Sequence, residues 1–174
     1  MNITLVSNHG KVQTAVEMAN SVLNNELFYS RIREKESFDL STASPAVIAD
    51  LIQNSDLTFK VDFFYPSGLF QAIKYRKTLA YTDSRYPNTL FLNLKKLNRA
   101  EESIAATIIH ESIHALDHDA VDYTFGHGNN SAVGKENTAP YWIGNLANKI
   151  LKGDIEVPLL VFDQEEDDSD DYLV

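Results

Sequence analysis

The stretch between residues 99 and 118 constrains this chain more than any other feature. Ile104, Ala105, Ile108, Ile109, Ile113 and Leu116 recur at helical spacing. At ~100° per residue they form an apolar stripe centred about 95° around the helix from Ile104. His110 and His114 fall near ~240° and ~280° on the same wheel, and Glu111 near ~340°. Such a helix is expected to pack its stripe on a sheet and to turn two imidazoles, one turn apart, the other way. Imidazoles at that spacing suit adjacent positions on one tetrahedral zinc ion. A carboxylate to one side can then take a proton from water without being a ligand. His110-Glu111-Ser112-Ile113-His114 is thus an H-E-x-x-H sequence on the element type that gives it meaning.

A catalytic zinc site takes three protein ligands and leaves the fourth position to water. The third has several candidates. His127 stands 13 residues after His114 in Phe125-Gly126-His127-Gly128, where flanking glycines permit a sharp return toward the helix. Glu136, 22 residues after His114, is the rival. His118, Asp119 and Asp122 are further alternatives. Asp117 is a ligand candidate too, or a group that orients an imidazole N–H. Tyr123 and Tyr141, which follow the helix, are candidate donors to an oxyanion.

The order Leu90-Phe91-Leu92-Asn93-Leu94, then Ile108-Ile109-His110-Glu111-Ser112-Ile113-His114-Ala115, then His127-Gly128 resembles the zincin-fold metallopeptidases. It is most similar to the SprT/Spartan-like branch. The resemblance covers about residues 89–128 and implies a strand ahead of the metal helix. It also implies zinc held by His110, His114 and His127, Glu111 as catalytic base, and a protein or peptide substrate. Gly134-Lys135-Glu136-Asn137-Thr138-Ala139 is loosely similar to the glutamate-ligand peptidases, which include toxin domains of bacterial effectors. That likeness implies Glu136 as third ligand in an effector-type hydrolase. A non-catalytic zinc-binding module on the same scaffold is the remaining alternative.

The rest of the sequence is read for what surrounds this helix. Residues 2–7 read as a short strand and 11–27 as one helix. Ser44-Pro45 starts a helix to about Ile52, with Ser as cap and Pro in the first turn. Strands are expected at 57–65, 78–82 and 89–94, and the last of these is a candidate edge for an extended substrate. Asn98 is the expected cap of the long helix, and Glu101 and Glu102 suit its first turn. Thr138 is the expected cap of a last helix ending before Gly153. The fold class is therefore α+β, with a short mixed or antiparallel sheet packed on the H-E-x-x-H helix.

The 174 residues suffice for one domain, expected over 1–160 and followed by an acidic tail over 161–174 expected to be disordered. With no cysteine, thiolate ligands and disulfides are excluded. The formal net charge is −10, and seven of the 25 acids lie between Asp163 and Asp171. Residues 1–162 are only mildly acidic, and neither they nor the tail are expected to supply the clustered basic face that nucleic-acid binding requires. The tail reads by default as a solvating segment, with an interaction tag or a cover for the site as alternatives. No apolar run reaches the ~18 residues of a membrane span. No secretory signal is visible in Met1-Asn2-Ile3-Thr4-Leu5-Val6. The expectation is a cytoplasmic protein, or one exported as an effector without a standard signal. Oligomeric state is left open.

Overall fold

The computed structural model of the protein describes residues 1–154 apart from Lys77, Ser84 and residues 128–133. The acidic C-terminal run and Gly128 lie outside the described residues. The elements in chain order are β1 (Asn2–Leu5), α1 (Gly10–Leu23), α2 (Glu26–Arg33), α3 (Pro45–Asn54), β2 (Thr58–Phe64), α4 (Gly68–Lys74), β3 (Ala80–Thr82) and β4 (Thr89–Asn93), followed by a 3-10 turn (Leu94–Lys96), α5 (Glu101–Asp119) and α6 (Ala139–Lys152). The fold is α+β, as the sequence led us to expect.

The four strands form one mixed sheet in the order β1-β2-β4-β3. β1, β2 and β4 are parallel, with Ile3 opposite Phe59 and Val61 opposite Leu90. β3 runs antiparallel to β4, with Tyr81 opposite Phe91. Alternation then sorts the side chains. Phe59, Val61, Leu90 and Leu92 point into the core and are fully buried, while Lys60, Asp62, Phe64, Phe91 and Tyr81 take the other face. β4 is an interior strand with both edges paired, so it cannot accept a substrate by edge pairing. The outer edge of β1 is closed by Asn20 of α1, whose side chain accepts from the Ile3 amide (3.0 Å) and donates to its carbonyl (2.8 Å).

Local chemistry explains most boundaries. Ser44 Oγ accepts the Val47 amide at 3.3 Å and Pro45 opens α3. Gly153 ends α6 in the left-handed region, at φ 77°. The helix expected over 11–27 stops at Leu23, because Asn25 turns to cap α2 by accepting the Leu27 amide at 3.0 Å. Asn98 is not the cap of α5; Ala100 holds that position without a side-chain bond. Thr138 is the residue before α6, but its hydroxyl donates to the Lys135 carbonyl at 2.7 Å. α4 was not expected from the sequence, and Leu69, Phe70 and Ile73 on it are exposed.

The largest correction concerns α5. Its apolar stripe does not rest chiefly on the sheet: the helix lies between α1 and α6 and meets the sheet along β2. Ile104, Ile108, Ile109 and Ile113 are fully buried, but so is much of the opposite side, with His110 only 8% and Glu111 3% exposed. The cause is the close approach of α6. A Cβ built on Gly144 would lie 3.1 Å from His110 Cβ and 3.2 Å from the Ala106 carbonyl oxygen. A side chain there would require these atoms to give by a few tenths of an ångström. Among the described residues no helix is long and apolar enough to cross a membrane.

Ile108→Ala removes a fully buried side chain from the layer shared by α5 and its neighbours. Such deletions cost about 2–5 kcal/mol. The expected result is a melting temperature lower by roughly 5–15 °C, read by circular dichroism.

Candidate metal centre

α5 supplies two imidazoles and a short loop brings the third. The loop is pinned from both sides. Phe125 is fully buried, and its amide donates to Asp117 Oδ1 at 2.5 Å. Thr124 exchanges bonds with Thr42, whose amide donates to the Thr124 carbonyl at 2.8 Å and whose hydroxyl accepts the Thr124 amide at 2.9 Å. Gly126 then passes over the end of α5. A Cβ there would stand 2.6 Å from Asp117 Oδ2 and 3.6 Å from His114 Nδ1. The glycine permits the close return that the sequence suggested. His127 follows, buried to 3% exposure, with Lys135 Nζ 3.4 Å from its Nδ1.

The three rings meet through their Nε2 atoms. His114 Nε2 lies 3.3 Å from His110 Nε2 and 2.8 Å from His127 Nε2, and one ligand atom from each of the three falls within 4.8 Å of the others. Two nitrogens each ~2.05 Å from one tetrahedral ion are about 3.3 Å apart. The His110–His114 pair already has that spacing. The His114–His127 distance is shorter, so holding a metal requires those two rings to part by about half an ångström. A group of three histidines, all with imidazole nitrogens turned inward, fits a metal ion.

Electrostatics favour the ligating form. Burial, reinforced by the nearby His127, pushes the His110 pKa down to about 3, against a hydrogen bond to the Pro140 backbone that works the other way. His114 is held well below the ordinary imidazole value by burial and by His110, His127 and Lys135. Both rings are neutral near pH 7, the state in which imidazole binds metals. Tyr141 of α6 packs on two of them, with ring centroids 4.5 Å from His110 and 4.8 Å from His127.

The remaining candidates fall elsewhere. Glu136 is half-buried, accepts the Gly134 amide at 3.2 Å, and is outside the histidine group. His118, Asp119 and Asp122 are exposed and also outside it. Asp117, expected to orient an imidazole N–H, is found holding the loop through the Phe125 amide. Tyr123 lines a groove with Leu51, Leu57, Leu116 and Asp119 that none of the three histidines lines. Lys135 was not anticipated, since nothing in Gly134-Lys135-Glu136 distinguishes a buried lysine from a solvated one. No protein-family model, no curated protein and no solved structure matches the chain.

His127→Ala is expected to reduce zinc affinity far beyond the ~10–100-fold loss typical of a residue that only orients a ligand. Glu136→Ala is expected to leave affinity nearly unchanged, both read by competition with a chelating dye. A second expectation concerns pH. His110 and His114 stay neutral in the fold while the unfolded chain protonates them below ~6.5, so the unfolded state binds more protons. The metal-free protein should therefore be most stable above pH 6.5. It should lose roughly 1.4 kcal/mol per histidine for each pH unit below it, until the folded-state rings protonate. Denaturant midpoints across pH 4–8 measure this, and His114→Ala should flatten the profile.

Proposed function

We propose that the protein is a zinc-dependent metallopeptidase of the zincin type, similar to the SprT-like branch, acting on protein or peptide substrates. The observation that carries the reading is the convergence of three imidazole Nε2 atoms, two of them from the helix that also bears Glu111. In this reading His110, His114 and His127 hold the metal, and three neutral ligands leave a position for water. Bound zinc would supply the Lewis acidity that makes a water nucleophilic near neutral pH.

The chain's own groups do the proton work. Glu111 takes the proton from the attacking water and returns it to the leaving amine as the peptide bond breaks. In this reading its place between two ligands on one helix would serve the reacting water without making it a ligand. Tyr141, packed on His110 and His127, is the candidate donor to the oxyanion. Asp117 and Gly126 set the loop that delivers His127, so they position a ligand and take no part in the chemistry.

The low exposure of His110, Glu111 and His127 favours a second reading, a closed metal centre with a structural role. One variant separates the two. Glu111→Gln should keep fold and zinc content but hydrolyse an unfolded protein substrate ~10²–10⁴-fold more slowly, and chelation should abolish wild-type activity. Wild-type protein that carries zinc yet cleaves nothing would establish the closed structural site.

A further inference from the structure

The average over residues 1–162 hides where the cations are. Residues 60–99 hold eight of the 15 Lys and Arg against two acids, Asp62 and Asp83, a net +6 within a chain of net −10. This is the segment that builds β2, α4, β3, β4 and the turn before α5. On the sheet face away from the core its aromatic residues form a continuous layer. Tyr75 stacks on Tyr81 at 5.9 Å and Tyr81 on Phe91 at 5.2 Å, with Phe64 and Tyr86 edge-on to them. Beside it, Tyr65, Leu69, Phe70 and Ile73 are 62–91% exposed. Cations ride on the rings: Lys95 Nζ is 4.7 Å from the centre of Tyr65 and Lys74 Nζ 5.3 Å from that of Tyr75. Lys60, Lys74, Arg76, Lys95 and Lys96 take part in no ion pair among the described residues.

An apolar patch of this extent, rimmed by cations, calls for an occupant that is both apolar and anionic. We infer that the occupant is the chain's own segment 155–174, docked across the aromatic and basic face formed by the sheet and α4. Its chemistry matches in kind and amount. Val157, Leu159, Leu160, Val161 and Phe162 precede the acids, Tyr172, Leu173 and Val174 follow them, and the segment holds eight acids and no Lys or Arg. Its starting point is also favourable. Tyr141 and Gly144 of α6 meet His110, and Gly144 also meets Ala106, so α6 runs back along α5. Its last turn therefore returns toward the start of α5, next to the turn carrying Lys95 and Lys96. Twenty extended residues reach ~66 Å, against a radius of gyration of about 15 Å for a domain of this size. Tethering raises the local concentration of such a segment to the millimolar range.

Zero-length carbodiimide coupling of the full-length protein, mapped by mass spectrometry, tests the docking. Lys74, Lys95 and Lys96 should couple to carboxylates between Asp163 and Asp171 within single chains, and Lys11 and Lys35 should not. In 1 M salt, where screening shortens to ~3 Å, the yield should fall about tenfold. The triple variant Lys74→Glu, Lys95→Glu, Lys96→Glu, with an unchanged circular dichroism spectrum, should speed amide hydrogen exchange of 155–174 several-fold. Coupling spread evenly over all lysines, or exchange in wild type as fast as in a free peptide of the same sequence, overturns the proposal and leaves the face to a foreign acidic partner. Coupling found only between chains overturns it in favour of a second copy.

Discussion

The contact between α5 and α6 is the constraint on which the candidate site depends. Gly144 has no side chain, and His110 Cβ lies only 3.1 Å from where a Cβ would stand. That approach takes His110 and Glu111 out of water and lays Tyr141 on two imidazoles. A Cβ at 144 would press on His110 and on the Ala106 carbonyl, which would have to give by a few tenths of an ångström. The burial of His110 and Glu111 thus goes with the close packing of the neighbouring helix.

Burying three imidazoles together is unfavourable unless something compensates. Desolvation and mutual repulsion keep His110 and His114 neutral, and the His114 and His127 Nε2 atoms lie within hydrogen-bond distance of each other. A metal ion would give all three rings a common partner. The loop from Thr124 to His127 is pinned by Asp117 and Thr42, independently of any metal. The centre is therefore organised by packing and hydrogen bonds before any ion arrives, which lowers the ordering cost of binding.

The opposite side of the sheet follows different rules. There the aromatic rings are stacked on one another instead of under a helix, and the cations of residues 60–99 surround them. Parallel sheets are ordinarily covered on both faces. In this fold β1, β2 and β4 are parallel, yet α1, α5 and α6 all lie on the core side, and α4 contributes exposed apolar residues to the other. Net charge and apolar exposure thus coincide on the one face that the described elements leave uncovered.

How much of this was legible in the sequence depends on the range of the interaction concerned. Helix α5 and its two histidines were readable because spacing of 3.6 residues and the i, i+4 relation are local properties of a chain. The approach of His127 was readable in part, since Gly126 and Gly128 announce a tight turn, but a turn does not say what it turns toward. Glu136 remained a rival until Asp117 was seen to hold the loop at Phe125 and the Gly134 amide to occupy Glu136. The break between α1 and α2 at Asn25 was a capping choice that helical periodicity overran. The cover of α5 by α6, the burial of Lys135 and the pairing of both β4 edges had no local signature. The sequence by itself determined the strands, the helices α1, α3, α5 and α6, and the pair of imidazoles one turn apart. Only the tertiary structure decided that the pair is interior and joined by a third, because burial is a property of distant elements meeting, and here α5 and α6 come close at Gly144.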